Sequence, residues 1–120
     1  METRLKSMHK VIMDIAKENP EGFTIDKNTL EHITKGYAVA ISETQDSFGD
    51  LGLDFVLSFT EKSFIDAIGG WLSEGNYYFD AVMIVDDLND ALRLGFRNKQ
   101  KAIFDLETEK EIKLFLKDTI

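Results

Sequence analysis

Residues 64–85 read FIDAIGGWLSEGNYYFDAVMIV, and this stretch decides the fold. Two β-prone runs, 64–72 and 77–85, flank Ser73-Glu74-Gly75-Asn76, four residues with turn chemistry. Apolar runs on either side of such a turn predict an antiparallel hairpin. The second run, YYFDAVMIV, is the clearest strand in the chain because aromatic and β-branched side chains dominate it. A two-stranded hairpin is marginal alone, so the fold requires further strands or helices to cover it.

The C-terminal side supplies a helix and more strand. Asp86-Asp87-Leu88-Asn89-Asp90 is a helix start: either aspartate suits an N-cap, and Asp90 falls in the first turn, where the helix dipole favours it. Leu88, Ala91, Leu92, Gly95 and Phe96 then follow the spacing of a helix packed on a sheet, and Asn98 ends it. Ala102–Leu106 predicts a strand. In the tail, Ile112, Leu114 and Leu116 alternate as in a last strand, although Thr108-x-x-Glu111 also fits a capping box for a helix.

On the N-terminal side, residues 50–61 (DLGLDFVLSFTE) fit two periods. Leu53, Phe55, Leu57 and Phe59 fit a strand, whereas Gly52, Phe55, Val56 and Phe59 fit a helical face. Length and the polar flank ahead of it favour a buried helix. Residues 36–41 (GYAVAI) alternate large and small side chains, as in an inner strand buried on both faces. Gly22–Ile25 is a short strand, and the turn at Asp26-Lys27-Asn28 predicts a hairpin between it and 36–41. Leu5, Met8, Ile12 and Ile15 form one apolar stripe on a helix over residues 3–18, which Asn19-Pro20-Glu21-Gly22 stops.

The resulting order is α-β-β-α-β-β-α-β(-β) over one domain, residues 1–120, with residues 1–7 as an N-terminal extension. It predicts an α+β fold: a mostly antiparallel sheet of about five to six strands with two to three helices packed on it. At 120 residues the chain buries a core without staples. No run approaches the ~18 apolar residues of a membrane span, and the first residues lack the apolar run of a signal peptide. There are no cysteines, hence no disulfides or thiolate sites. Cytoplasmic location is the expectation.

The net charge is −8 and unevenly spread. Residues 43–92 hold eleven acids against one base, Lys62, while the segments on either side are balanced or slightly basic. An acidic middle repels phosphate backbones, which argues against nucleic-acid binding. It favours a basic protein partner or a metal ion, or serves solubility alone.

Chemistry-bearing motifs fail one after another. A hydroxyl nucleophile needs a neighbouring base, and the two histidines, His9 and His32, lie in no such motif and read as surface residues. Gly69-Gly70 is followed by Trp71 instead of a phosphate-binding helix, so it predicts a bulge or close backbone approach that makes room for the indole. An EF-hand counted from Asp46 places Leu51 and Leu57 where glycine and glutamate are needed. No metal site, cofactor motif or catalytic constellation is expected.

Two features survive. Asp80 shares a strand face with Tyr78, Val82 and Ile84, so it must lie near a sheet edge or bond a partner such as a loop backbone. The polar island Ser42–Ser47 precedes the second helix, where Ser47 or Asp50 is placed to cap it. Its Glu43, Thr44 and Gln45 carry polarity that a turn alone does not require.

The segments Gly36-Tyr37-Ala38-Val39-Ala40, Glu43-Thr44-Gln45, Ser47-Phe48-Gly49, Gly69-Gly70-Trp71, Tyr77-Tyr78-Phe79-Asp80 and Ala102-Ile103-Phe104-Asp105-Leu106 together resemble a family of small, mostly uncharacterised bacterial domains. These occur in gut Bacteroidales and other bacteria, often on phages, plasmids or conjugative elements. The resemblance covers roughly residues 20–106 and implies association with a mobile genetic element, but no activity and no catalytic residues.

The expected function is therefore a non-enzymatic protein-interaction or regulatory module that uses the acidic middle and the aromatic hairpin. The alternative is a small-ligand or enzymatic pocket formed by Glu43, Thr44, Gln45 and Ser47 with Trp71, Tyr78 and Asp80. A homodimer through sheet-edge pairing is the third reading.

Overall fold

The computed structural model describes residues 3–114. In chain order it contains α1 (Thr3–Glu18), β1 (Phe23–Asp26), β2 (Tyr37–Ala40), a 3-10 turn (Ser42–Thr44), β3 (Ser47–Phe48), α2 (Gly49–Glu61), β4 (Ala67–Ser73), β5 (Asn76–Val85), α3 (Leu88–Arg97), β6 (Ala102–Asp105) and β7 (Lys110–Lys113). The fold is α+β, with one antiparallel sheet in the order β1-β4-β5-β2-β6-β7. The two-residue β3 joins it by pairing with β5.

The aromatic hairpin is the centre. Strands β4 and β5 pair from Ala67–Val82 to Ser73–Asn76, and Glu74 and Gly75 take the left-handed backbone of the turn. Gly69 and Gly70 sit in this regular ladder, opposite Asp80 and Phe79, and do not form a bulge. Gly70 has another cause: a Cβ there would lie 2.5 Å from the Phe23 ring, which lies across the strand.

The expected hairpin between residues 22–25 and 36–41 does not form. Asp26 does begin a turn, its carboxylate accepting the Asn28 and Thr29 N–H groups. The chain then returns along β1 only through an Ile25–His32 bridge. β1 instead pairs with β4, and β2 lies between β5 and β6, an inner strand as its two-sided pattern predicts.

All three helices lie on one face. Leu5, Met8, Ile12 and Ala16 of α1 and Leu53, Val56 and Leu57 of α2 pack with Phe23, Ile25, Ile68, Phe79 and Ala81. Leu5 is already in this core, so α1 belongs to the domain from its first turn. A second cluster joins Ala91 of α3 to Val39, Ile103 and Leu114. Through the strand registers, Val39, Ala81, Ile68 and Ile103 point to the same side of the sheet.

Residues 50–61 are helical, with Gly52, Leu53, Val56, Leu57 and Thr60 inward. The buried face is rotated from the expected one: Phe55 is exposed and Phe59 only partly buried. Neither Ser47 nor Asp50 caps α2; Phe48 holds the N-cap position, and among the described residues no side chain caps the free N–H groups. Asp87 caps α3 as expected, accepting the Asp90 N–H at 2.9 Å. On α3 the inward residues are Ala91 and Gly95, whereas Leu88 and Phe96 are exposed. After β6 the chain forms strand β7, not a capping-box helix. Leu116 lies outside the described residues.

Candidate functional site

The sheet face turned away from the helices carries Trp71, Tyr78 and Asp80. Register places Trp71 beside Tyr78, and their rings stack with centroids 5.5 Å apart and planes 11° from parallel. On the other side of Tyr78, β3 contributes Phe48, its ring 5.4 Å from the phenol. Three rings from three adjacent strands thus form one row. Trp71 is 39% and Phe48 49% exposed. Phe48 also starts an outward stripe on α2: Leu51 and Phe55, three and seven residues on, are both exposed.

Asp80 follows Tyr78 on the same face, about 7 Å along the strand by the strand rise. Its register partner in β4 is Gly69, which contributes no side chain. Asp80 is only 9% exposed, and its carboxyl makes no hydrogen bond among the described residues. Burial, reinforced by the charge of Asp46, pushes its pKa up from 3.8 to about 7. Both alternatives expected for this residue fail: it lies on a central strand and has no bonding partner among the described residues. A buried carboxyl with a displaced pKa beside an exposed aromatic row is a candidate functional group.

The polar island divides between structure and surface. Between the β2 and β3 pairings with β5, the chain lifts away as the 3-10 turn. Thr44 is fully buried there, and its hydroxyl accepts the Ala81 N–H at 3.0 Å in place of a strand carbonyl. Ser47 is buried beneath α2, opposite Phe79. Thr44 and Ser47 are therefore framework. Glu43 and Gln45 are exposed, flanking Thr44 beside β5. Replacing Thr44 with valine keeps the shape and strands the Ala81 N–H. The expected loss is about 1–2 kcal/mol in denaturant unfolding, with faster hydrogen exchange at Ala81.

Two groups were missed from sequence. Phe48 reads as the end of a turn, and only its pairing with Tyr78 brings it into the row. His9 is not a solitary surface residue. Its Nδ1 lies 2.7 Å from an Asp54 oxygen and its Nε2 lies 3.2 Å from one of Asp50, linking α1 to α2. The spacing of Asp50 and Asp54, one helical turn apart, was the available signal, but nothing in the sequence joined it to α1. His32 is exposed.

Among the described residues, no group of three or more His, Asp or Glu side chains is arranged to hold a metal, and no helix is long and apolar enough to cross a membrane. No protein-family model, curated protein or solved structure matches the chain.

Proposed function

We propose that the protein is a non-enzymatic interaction module that docks a basic protein partner on the helix-free face of its sheet. The observation that carries this is the exposed row Trp71–Tyr78–Phe48, three rings held side by side by strand pairing instead of being buried. Rigid aromatic rings with a polar surround are the usual anchors of protein interfaces. The partner's sign follows from charge: the segment that contributes β3, β4 and β5 carries eleven acids and one base. Of these acids, exposed Asp46 stands near enough to Asp80 to act on it, while Asp50 and Asp54 face His9. The suggested link to mobile genetic elements fits a protein that acts on a host or element protein.

A photo-crosslinking residue at position 48 tests this against the same residue at Lys10, exposed on α1. Adducts formed from position 48, absent from position 10 and lost on Trp71→Ser, are expected, with the crosslinked peptides rich in lysine and arginine. Equal adducts from both positions would remove the face from consideration.

A further inference from the structure

Within that docking reading, we propose that Trp71, Tyr78 and Asp80 form a subsite for one arginine side chain of the partner, its guanidinium lying on the rings and bonding the Asp80 carboxylate. Three observations converge. With centroids 5.5 Å apart and planes 11° from parallel, the Trp71–Tyr78 stack is offset, and the 39%-exposed indole keeps open aromatic surface on which a guanidinium packs well. Asp80, on the same face one strand repeat from Tyr78, is nine-tenths buried and lacks a hydrogen-bonding partner among the described residues. Gly69, its register partner, brings no side chain of its own, and the position a Cβ would take there is bordered by Val82 and the Thr24 hydroxyl.

The surrounding groups leave this role to an outside cation. Flanking Asp80 on β5 are Tyr78 and Val82; on β4 the same face bears Ala67, Gly69 and Trp71; on β1 it bears Thr24. Among the described residues the one charged neighbour acting on Asp80 is Asp46, another acid, which disfavours its ionisation. A bound guanidinium reverses that balance by compensating both charges. Arginine is favoured over lysine because its planar group both stacks and donates a paired fork of hydrogen bonds to a carboxylate.

Binding of this kind is coupled to proton release from Asp80. Below the pKa of about 7 the proton competes with the guanidinium, so affinity falls about tenfold per pH unit. Above it the affinity levels off. A purely apolar docking face has no such profile.

The test uses the full chain and blocked tripeptides of Gly-Arg-Gly, Gly-Lys-Gly and Gly-citrulline-Gly, citrulline being the neutral near-isostere of arginine. Trp71 is the only tryptophan, so its fluorescence reports the subsite directly. The arginine peptide is expected to bind about tenfold or more tighter than citrulline at pH 8, to weaken steeply from pH 7 to pH 5, and to lose its advantage in Asp80→Asn. Gly69→Ala serves as the second variant: its added Cβ meets only ordinary contacts, the nearest at 3.5 Å, and it should weaken arginine binding by narrowing the space. Equal binding of arginine and citrulline, or a flat pH profile, overturns the arginine subsite. If crosslinks from position 48 persist in that case, the docking face stands without it; if those are also absent, both readings fall.

Discussion

Asp80→Asn will raise the thermal midpoint, and its advantage over the native chain will grow as pH climbs from 4 to 8. The cause is a carboxyl whose folded pKa, about 7, lies above its ordinary 3.8. Near pH 3 both folded and unfolded chains hold the proton and Asp80 contributes no pH dependence. Between about 4 and 7 the unfolded chain releases the proton while the folded one keeps it, so native stability falls with rising pH. Beyond pH 7 both are ionised and the loss is complete. At about 1.4 kcal/mol per pKa unit the full penalty is at most roughly 4 kcal/mol. An asparagine amide carries no charge to desolvate, so the variant escapes the slope. Unfolding curves of the two proteins at pH 4, 6 and 8 check this, their difference cancelling other titrating groups. A constant difference would mean that Asp80 ionises as readily in the fold as outside it. Together with the expected loss of arginine binding, the stabilised variant would show a group kept at the expense of the fold.

The second large effect is at Gly52. Helix α2 crosses β3 so closely that a Cβ on Gly52 would lie 2.6 Å from the carbonyl carbon of Ser47 and 3.2 Å from its Cα. Neither is the end of a flexible side chain, so relief requires the helix or the strand to move. Alanine in a helix interior normally gains up to about 1 kcal/mol over glycine. Here the overpacking outweighs that gain, and Gly52→Ala should destabilise by about 1–3 kcal/mol, read from the denaturant midpoint. Because Phe48 shares β3 with Ser47, the same displacement should loosen the aromatic row and change Trp71 fluorescence. An alanine variant of native or higher stability would show that α2 does not press on β3.

The sheet and its helices were legible where one period acted alone. Residues 77–85 are too rich in aromatic and β-branched side chains for another assignment, and Asp86-Asp87 with Asp90 marks the start of α3, the fold choosing Asp87 of the two as the cap. Long-range pairing was not legible. Asp26 does make its local turn, but partner choice for β1 depends on the Phe23 ring fitting over Gly70, a contact between residues far apart in sequence. The face of α2 differs from the expected one because Phe55 and Phe59 suggest an apolar stripe that the helix leaves exposed at Phe55 and only partly buried at Phe59. Of the expected site residues, Trp71, Tyr78 and Asp80 come together because alternation and hairpin register fix their side of the sheet. Thr44 and Ser47 turn inward because the lifted loop must satisfy a strand N–H and pass beneath a helix, demands that no local pattern announces.

Strand β5 belongs to two cores at once. Its Phe79 and Ala81 are packed with α1 and α2, and its Val85 with the α3 group, while Met83 between them is 39% exposed although it lies on the helix side. The sheet is continuous, but the packing has a seam. The ten residues of β5 therefore line two side-chain clusters of one domain, one beneath the ring row and the other built on β2, β6 and β7. A substitution beneath the ring row therefore meets different neighbours from one made beside α3.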